Sequence, residues 1–396
     1  MLQIIEVISS DDLVVVGEES VLSAVTNWLN YDLEERRPQL YDVVQFVRQP
    51  LLSVTSHPDY FLALMNAIKD SPAGEQLRDA AYLNAIPSRR QDATASQTRP
   101  RTGSTTVIVC VGGCTNNRRI VIATECFDPV CPSWTSWEKA PFSDNVWDAR
   151  LANLNDQYMF VCGGMTMHTQ DMLADVHRYD VVRSLKWETV APMQLARCGH
   201  GAAVLNNHIY VFGGIRSNSS GSSDATIKRY DPPTNTWTYV EPLPAPLAFF
   251  ASVAYNGHIY TFGGSSLEGV ATYWAFRYNP VAKQWSRLAN MLTPRQNCSA
   301  CVGPNDLIYV IGGVSTHGEI LACVETYDTH TDKWLTKRTA CVDDKIYVLG
   351  GGFDELACYT SIEVYDENSD TWTTHPSQLP TARSHFGCVT LRVGNR

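Results

Sequence analysis

Charge is scarce in this 396-residue sequence, and basic charge scarcer still. Only 18% of residues are Asp, Glu, Lys or Arg, and Lys plus Arg number 31 against 41 for Asp plus Glu. A formal net charge of −10 argues against nucleic acid or an anionic membrane as the main partner, because both attract basic surfaces. Long apolar runs are missing as well, and none approaches the roughly 18 residues of a membrane-spanning helix. Met1–Ser10 has no basic segment ahead of its apolar residues, and Glu6 interrupts them, so it does not read as a secretory signal. Twelve cysteines in a chain this long are too dilute for a disulfide scaffold. The expectation is a cytoplasmic, reducing, intracellular setting. With 44% hydrophobic residues, the composition is that of a folded chain able to bury large cores.

The character of the chain changes near residue 87. Before it the apolar period is helical. Val21, Leu22, Val25, Trp28 and Leu29 share one face of a helix within Glu18–Leu33, and Pro38, Pro58 and Pro72 open three further short helical stretches. Residues 87–104 have no apolar period, are rich in Arg, Ser, Thr and Pro, and read as a linker.

From residue 105 the chain repeats. Gly-Gly follows a β-rich run six times, with first glycines at 112, 163, 213, 263, 312 and 350. A period near 50 made of short strands predicts a β-propeller, and six such strands predict six blades. An aromatic comes next in each unit: Phe127, Tyr179, Tyr230, Tyr278, Tyr327 and Tyr365. Trp237, Trp285, Trp334 and Trp372 stand seven positions after the last four of these, and Trp187 eight after Tyr179. In the first copy Trp134 fits this spacing, while Trp137 better fits the distance to the next Gly-Gly. These residues read as architecture: glycine for positive φ and close approach, Tyr and Trp to fill the wedge between blades.

The two ends of the repeat region complement each other. Residues 382–391 copy the opening of a repeat seen at 196–205, yet no Gly-Gly strand follows, and the first Gly-Gly strand has only linker before it. The C-terminal strand is therefore expected to supply the inner strand of the first blade and close the ring. The fifth-to-sixth repeat is ten residues short between Trp334 and Gly350, which predicts a truncated inner strand in the sixth blade.

The Gly-Gly, Tyr-Asp and Trp units resemble kelch repeats, and the segment from Glu6 to Leu52 resembles the later part of a BACK domain. Together they resemble the BTB–BACK–kelch (kelch-like) family. The fold class expected is mainly β: a six-bladed kelch propeller over 105–396 behind a small α-helical, BACK-like piece over 1–86. The resemblance implies a substrate-recognition adaptor of a cullin–RING ubiquitin ligase, with a protein substrate on the propeller and a cullin scaffold reached through a BTB domain. This sequence starts inside the BACK-like helices, so as a fragment, short isoform or incomplete gene model it is expected to lack most of the cullin contact. A cytoskeletal scaffold that binds actin is the alternative, since some kelch proteins do so.

The same resemblance implies substrate contacts on the loops ahead of the inner strands, including arginines. The matching positions hold Trp147, Arg197, Leu247 and Arg295, with Arg383 and Arg338 by local context. Arg197, Arg295, Arg383 and Arg338 facing a central pocket would favour an acidic or phosphorylated segment. The other reading makes them salt-bridge partners of repeat acids such as Asp180 or Glu363. Ser384, Gln296 and Phe249 are further rim candidates. Catalytic residues, metals and cofactors are not expected. There is no P-loop and no G-x-S-x-G elbow, and Cys298-x-x-Cys301 lies on an expected strand, where residues three apart face opposite ways.

Overall fold

The computed structural model describes residues 2–9, 18–36 and 43, and residues 104–394 apart from 116–120, 130, 143–145, 167–168, 183, 217–222, 304–306, 338–344, 353–357 and 367–370. In the N-terminal part, Leu2–Ser9 and Glu18–Tyr31 are helices. The second follows the apolar period of the sequence and buries Val21, Val25 and Leu29. It stops at Asp32, whose carboxylate accepts the Glu35 N–H at 3.2 Å and caps the single turn Leu33–Arg36. The Arg36 guanidinium then donates to the Trp28 carbonyl at 2.7 Å and lies over the Trp28 and Tyr31 rings. It satisfies a carbonyl that the helix end leaves open. The stretches expected after Pro38, Pro58 and Pro72 fall almost wholly outside the described residues, as does most of the linker.

The repeat region forms a six-bladed propeller of antiparallel sheets. Blade 1 is ordered Gly387–Gly394, Ser104–Val111, Thr124–Asp128, Ser133–Trp137, so the C-terminal strand is its inner strand. Blade 2 runs Arg150–Leu154, Tyr158–Cys162, Val176–Asp180, Trp187–Val190. Blade 3 runs Gly201–Leu205, His208–Phe212, Ile227–Asp231, Thr236–Val240. Blade 4 runs Ala251–Tyr255, His258–Phe262, Ala275–Asn279, Gln284–Arg287. Blade 5 runs Ser299–Val302, Leu307–Ile311, Val324–Asp328, Lys333–Lys337. Blade 6 shows three strands among the described residues: Ile346–Leu349, Ile362–Asp366 and Thr371–Thr374. The inner strand expected to be truncated falls on 338–344, outside the described residues.

The repeated residues join neighbouring blades. Each second glycine has strongly positive φ, as at Gly214 (91°), where a Cβ would lie 2.6 Å from the Cys198 carbonyl. Only glycine fits that approach. The same glycines donate their N–H groups to the next blade: Gly164 to the Arg197 carbonyl, Gly214 to Leu247, Gly264 to Arg295 and Gly351 to Arg383, at 2.8–3.0 Å. On the outer side, Tyr230 and Trp237 are cross-strand partners with ring centroids 5.1 Å apart. The Trp237 indole N–H reaches back to the Ala191 carbonyl of blade 2 at 2.8 Å. Trp285 and Trp334 make the equivalent bonds to Glu241 and Ala289. In blade 1 it is Trp134 that pairs with Phe127, while Trp137 stacks on Tyr179 of blade 2 at 5.5 Å. The apolar core therefore lies between blades. Phe160, Cys162 and Val176 of blade 2 cluster with Ile209, Val211 and Tyr230 of blade 3.

Candidate functional site

The candidate site is the ring of loops that lead into the inner strands. Four of the described loops are tied down by a short antiparallel bridge to the residue just after Gly-Gly: Cys198 to Ile215, Ala248 to Ser265, Gln296 to Val314 and Ser384 to Cys114. Val146–Trp147 pairs in the same way with Met165–Thr166. One residue later the chain turns through positive φ at Asp148, Gly199, Phe249, Asn297 and His385, with φ of 53–57°. The turns are linked by backbone bonds, Phe249 N–H to Gly199, Asn297 N–H to Phe249 and Asp148 N–H to His385. Phe249 is half-buried and covers Gly199, where a Cβ would meet its ring at 2.6 Å.

The arginines do not face outward as expected from the sequence. Arg197, Arg295 and Arg383 are each 0% exposed. Arg197 donates to the Gly213 carbonyl at 2.8 Å and to Thr226, with Asp224 3.7 Å away. Arg295 donates to the carbonyls of Gly312 and Cys323 and pairs with Glu325 at 2.6 Å. Arg383 donates to the Gly112 carbonyl and pairs with Glu125. Each guanidinium is thus a cross-brace. Its side chain caps the Gly-Gly turn of its own blade, and its backbone carbonyl accepts from the glycine of the blade before. These contacts are those of the ion-pair reading: Arg197, Arg295 and Arg383 meet Asp224, Glu325 and Glu125 below the surface of the rim. Arg338 lies outside the described residues.

A signal for this bracing is present in the sequence. The second residue of the third strand is Glu125 in blade 1 and Glu325 in blade 5, where the loop position is arginine. In blade 4 it is Phe276, where the loop position is Leu247, and the two fall in one apolar cluster. Blade 3 has Lys228 there, turned onto the Tyr239 ring at 3.7 Å, and Asp224 supplies the acid instead. Burial, partly offset by Asp224, pulls the Arg197 pKa down to about 10.

The remaining rim candidates differ in access. Ser384 is buried, with its hydroxyl 3.0 Å from His385 Nδ1, and Gln296 is half-buried. Asn297 and His385 are exposed, as are Leu267, Val270 and Ile320 on the adjoining loops of blades 4 and 5. Glu268 and Glu319 are exposed beside them. Over 242–250, 265–273, 290–297 and 314–321 the only Lys or Arg is the buried Arg295. This part of the rim is apolar and acidic, with Leu247 in blade 4 at the position that holds arginine in blades 3 and 5. Sequence reasoning missed these loop residues, which lie outside the repeated positions. Among the described residues no group of three His, Cys, Asp or Glu is placed to hold a metal ion. Burial pushes the Cys298 thiol up to about 11 and Cys301 up to about 12, so both are protonated at neutral pH.

His200 stands where blades 4 and 1 have Phe250 and Phe386. It is 0% exposed, and neither ring nitrogen reaches a partner in hydrogen-bond geometry. Burial first, then Arg197 and Arg150, push its pKa well below the ordinary value. Unfolding returns the ring to water, where its pKa is about 6.5. Below that pH the unfolded chain binds a proton that the folded chain refuses. Stability therefore falls as pH drops through this window, by up to about 1.4 kcal/mol per pH unit. His177, also lowered by burial, adds to the slope. His200→Phe is expected to gain about 1–3 kcal/mol at neutral pH and to flatten the loss between pH 7 and 5.5. Urea midpoints of both proteins at the two pH values check this, and an unchanged pH slope in the variant would exclude His200 as its source.

Three family models match the chain. BACK, "BTB And C-terminal Kelch", matches residues 1–60; the KLHDC2/KLHL20/DRC7 Kelch-repeats domain matches 152–340; and the Kelch motif matches 336–377. Kelch-like protein 24 of Rattus norvegicus is 31% identical over 378 residues, covering 83% of this chain and 60% of that protein. Kelch-like protein 35 of Mus musculus is 28% identical, covering 81% of this chain and 53% of its own length. Kelch repeat and BTB domain-containing protein 8 of Danio rerio is 24% identical, with 85% and 53% covered. The chain thus spans between half and two-thirds of the length of these relatives. With a BACK match at residues 1–60, kelch-repeat matches over 152–377 on a six-bladed propeller, and kelch-like relatives similar along most of its length, the chain belongs to the kelch-like family.

Proposed function

We propose that this chain recognises a protein substrate for a cullin–RING ubiquitin ligase, with the propeller rim as the capture surface and the BACK segment on the side of the cullin scaffold. The reading is that of a non-catalytic adaptor at work inside the cell. The observation that carries it is the rim of blades 4 and 5. Leu267, Val270 and Ile320 are exposed large apolar side chains on loops braced from below by buried pairs, with Glu268 and Glu319 among them. Such a surface suits a segment with apolar anchors and basic flanks, in place of the acidic or phosphorylated segment that outward-facing arginines would have favoured.

Leu267→Ala/Ile320→Ala, made in this chain joined to the BTB domain of a kelch-like protein, is expected to weaken substrate capture about tenfold or more. Each anchor contributes on the order of 1.5 kcal/mol when covered. Affinity purification from cells reads the outcome. Cullin retained by the variant, with ubiquitinated proteins lost, supports the adaptor. Actin recovered without cullin would support a cytoskeletal scaffold instead, and an unchanged set of partners would remove the rim from the capture surface.

A further inference from the structure

The strand pair that closes the ring carries two thiols face to face. The bridge between Cys114 and Ser384 sets the antiparallel register of blade 1. That register puts Cys388 of the inner strand directly opposite Cys110 of Ser104–Val111. Their Sγ atoms are 4.0 Å apart, although the residues stand 278 positions apart in the chain. The equivalent pairs in the other four-stranded blades hold no cysteine: Leu151 with Val161, Ala202 with Val211, Ser252 with Thr261 and Ala300 with Val310. The thiol pair therefore occurs at the one seam where the two ends of the repeat region meet. Residues directly opposite on antiparallel strands have Cα atoms about 4.5–5.5 Å apart, within the span of a disulfide. Cys388 is exposed and Cys110 is buried.

We propose that Cys110 and Cys388 form a reversible disulfide that fastens the propeller closure, with hydrogen peroxide as the oxidant. The exposed Cys388 thiolate attacks one peroxide oxygen, the O–O bond breaks, and the departing hydroxide takes up a proton to become water. Cys388 is then a sulfenic acid. The Cys110 sulfur attacks the Cys388 sulfur, the S–O bond breaks, and the leaving hydroxide carries off the Cys110 proton as a second water. Two thiols lose two electrons and one peroxide becomes two waters. A small thiol reverses the bond through a mixed disulfide. The order of events follows access, and the hydrogen bond to Cys388 together with burial keeps the Cys110 thiol protonated until its turn. A closure held by strand hydrogen bonds opens when that strand frays, and a covalent bond across it prevents the fraying.

The test uses the whole 396-residue chain. It is treated with hydrogen peroxide, alkylated, digested without reduction and mapped by mass spectrometry. A peptide joining Cys110 to Cys388 is expected, with a Tm higher by about 5 °C or more that dithiothreitol reverses. Cys388→Ser should abolish the link and the shift and leave the Tm of the reduced protein unchanged. Cys114 and Cys358 both lie against the Ser384 hydroxyl, at 3.6 and 3.3 Å, and are the competing pair. Cys114→Ser should therefore leave the link intact. A bond between Cys114 and Cys358 instead, a sulfenic acid at Cys388 that never becomes a disulfide, or a link that forms only in urea would each overturn the proposal.

Discussion

Arg295→Ala is expected to destabilise the propeller by about 3 kcal/mol or more, the range for removing one partner of a buried ion pair. The variant strands the Glu325 carboxylate, whose side chain is 1% exposed, and the Gly312 and Cys323 carbonyls that the guanidinium now satisfies. The N–H groups of Leu292 and Thr293 still reach Glu325, so the charge keeps some partners. Arg295→Lys should recover little, because an ammonium cannot span two carbonyls and a carboxylate with the planar fork. Adding Glu325→Gln to the alanine variant should recover a good part of the loss, since the uncompensated charge is then gone. Urea midpoints of the four proteins test the bracing role. An alanine variant of wild-type stability that had lost its substrate would return Arg295 to the ligand-contact role.

Deleting residues 381–396 should lower the Tm by roughly 10 °C or more, or leave no folded propeller. The deletion removes the inner strand of blade 1, the Arg383–Glu125 pair, the Cys114–Ser384 bridge and the carbonyl that accepts the Gly351 N–H. The edge of Ser104–Val111 is uncovered, and exposed edges pair with other chains, so aggregation should accompany unfolding. A melting temperature unchanged by the deletion would rule out closure by the C-terminal strand.

Much of this architecture was legible because a propeller repeats its local chemistry. Gly-Gly after a β-rich run marks a turn that needs positive φ and room for a neighbouring backbone. The seven-residue step from Tyr to Trp is the length of a hairpin that places the two opposite each other, as Tyr327 and Trp334 are in blade 5. The unpaired repeat opening at the C-terminus foretold the closing strand for the same reason. The helix at Glu18–Tyr31 was visible in its apolar period. The loop residues Leu267, Val270 and Ile320 carried no such mark, because they lie between the repeated positions and differ from blade to blade.

The sequence by itself determined the number of blades, the order of their strands and the residues that staple one blade to the next. Those features depend on backbone geometry and side-chain alternation that recur about every fifty residues. Only the tertiary structure decided the direction of the arginines. Arg383 finds its acid at Glu125, 258 positions away, and Arg197 passes over Lys228 to use Asp224. It also decided that Trp134 stays within blade 1 while Trp137 crosses to Tyr179. A guanidinium at a rim position turns outward or inward according to whether a buried carboxylate and two unsatisfied carbonyls await it inside. The repeat period specifies where that side chain starts, and the residues folded against it determine where it ends.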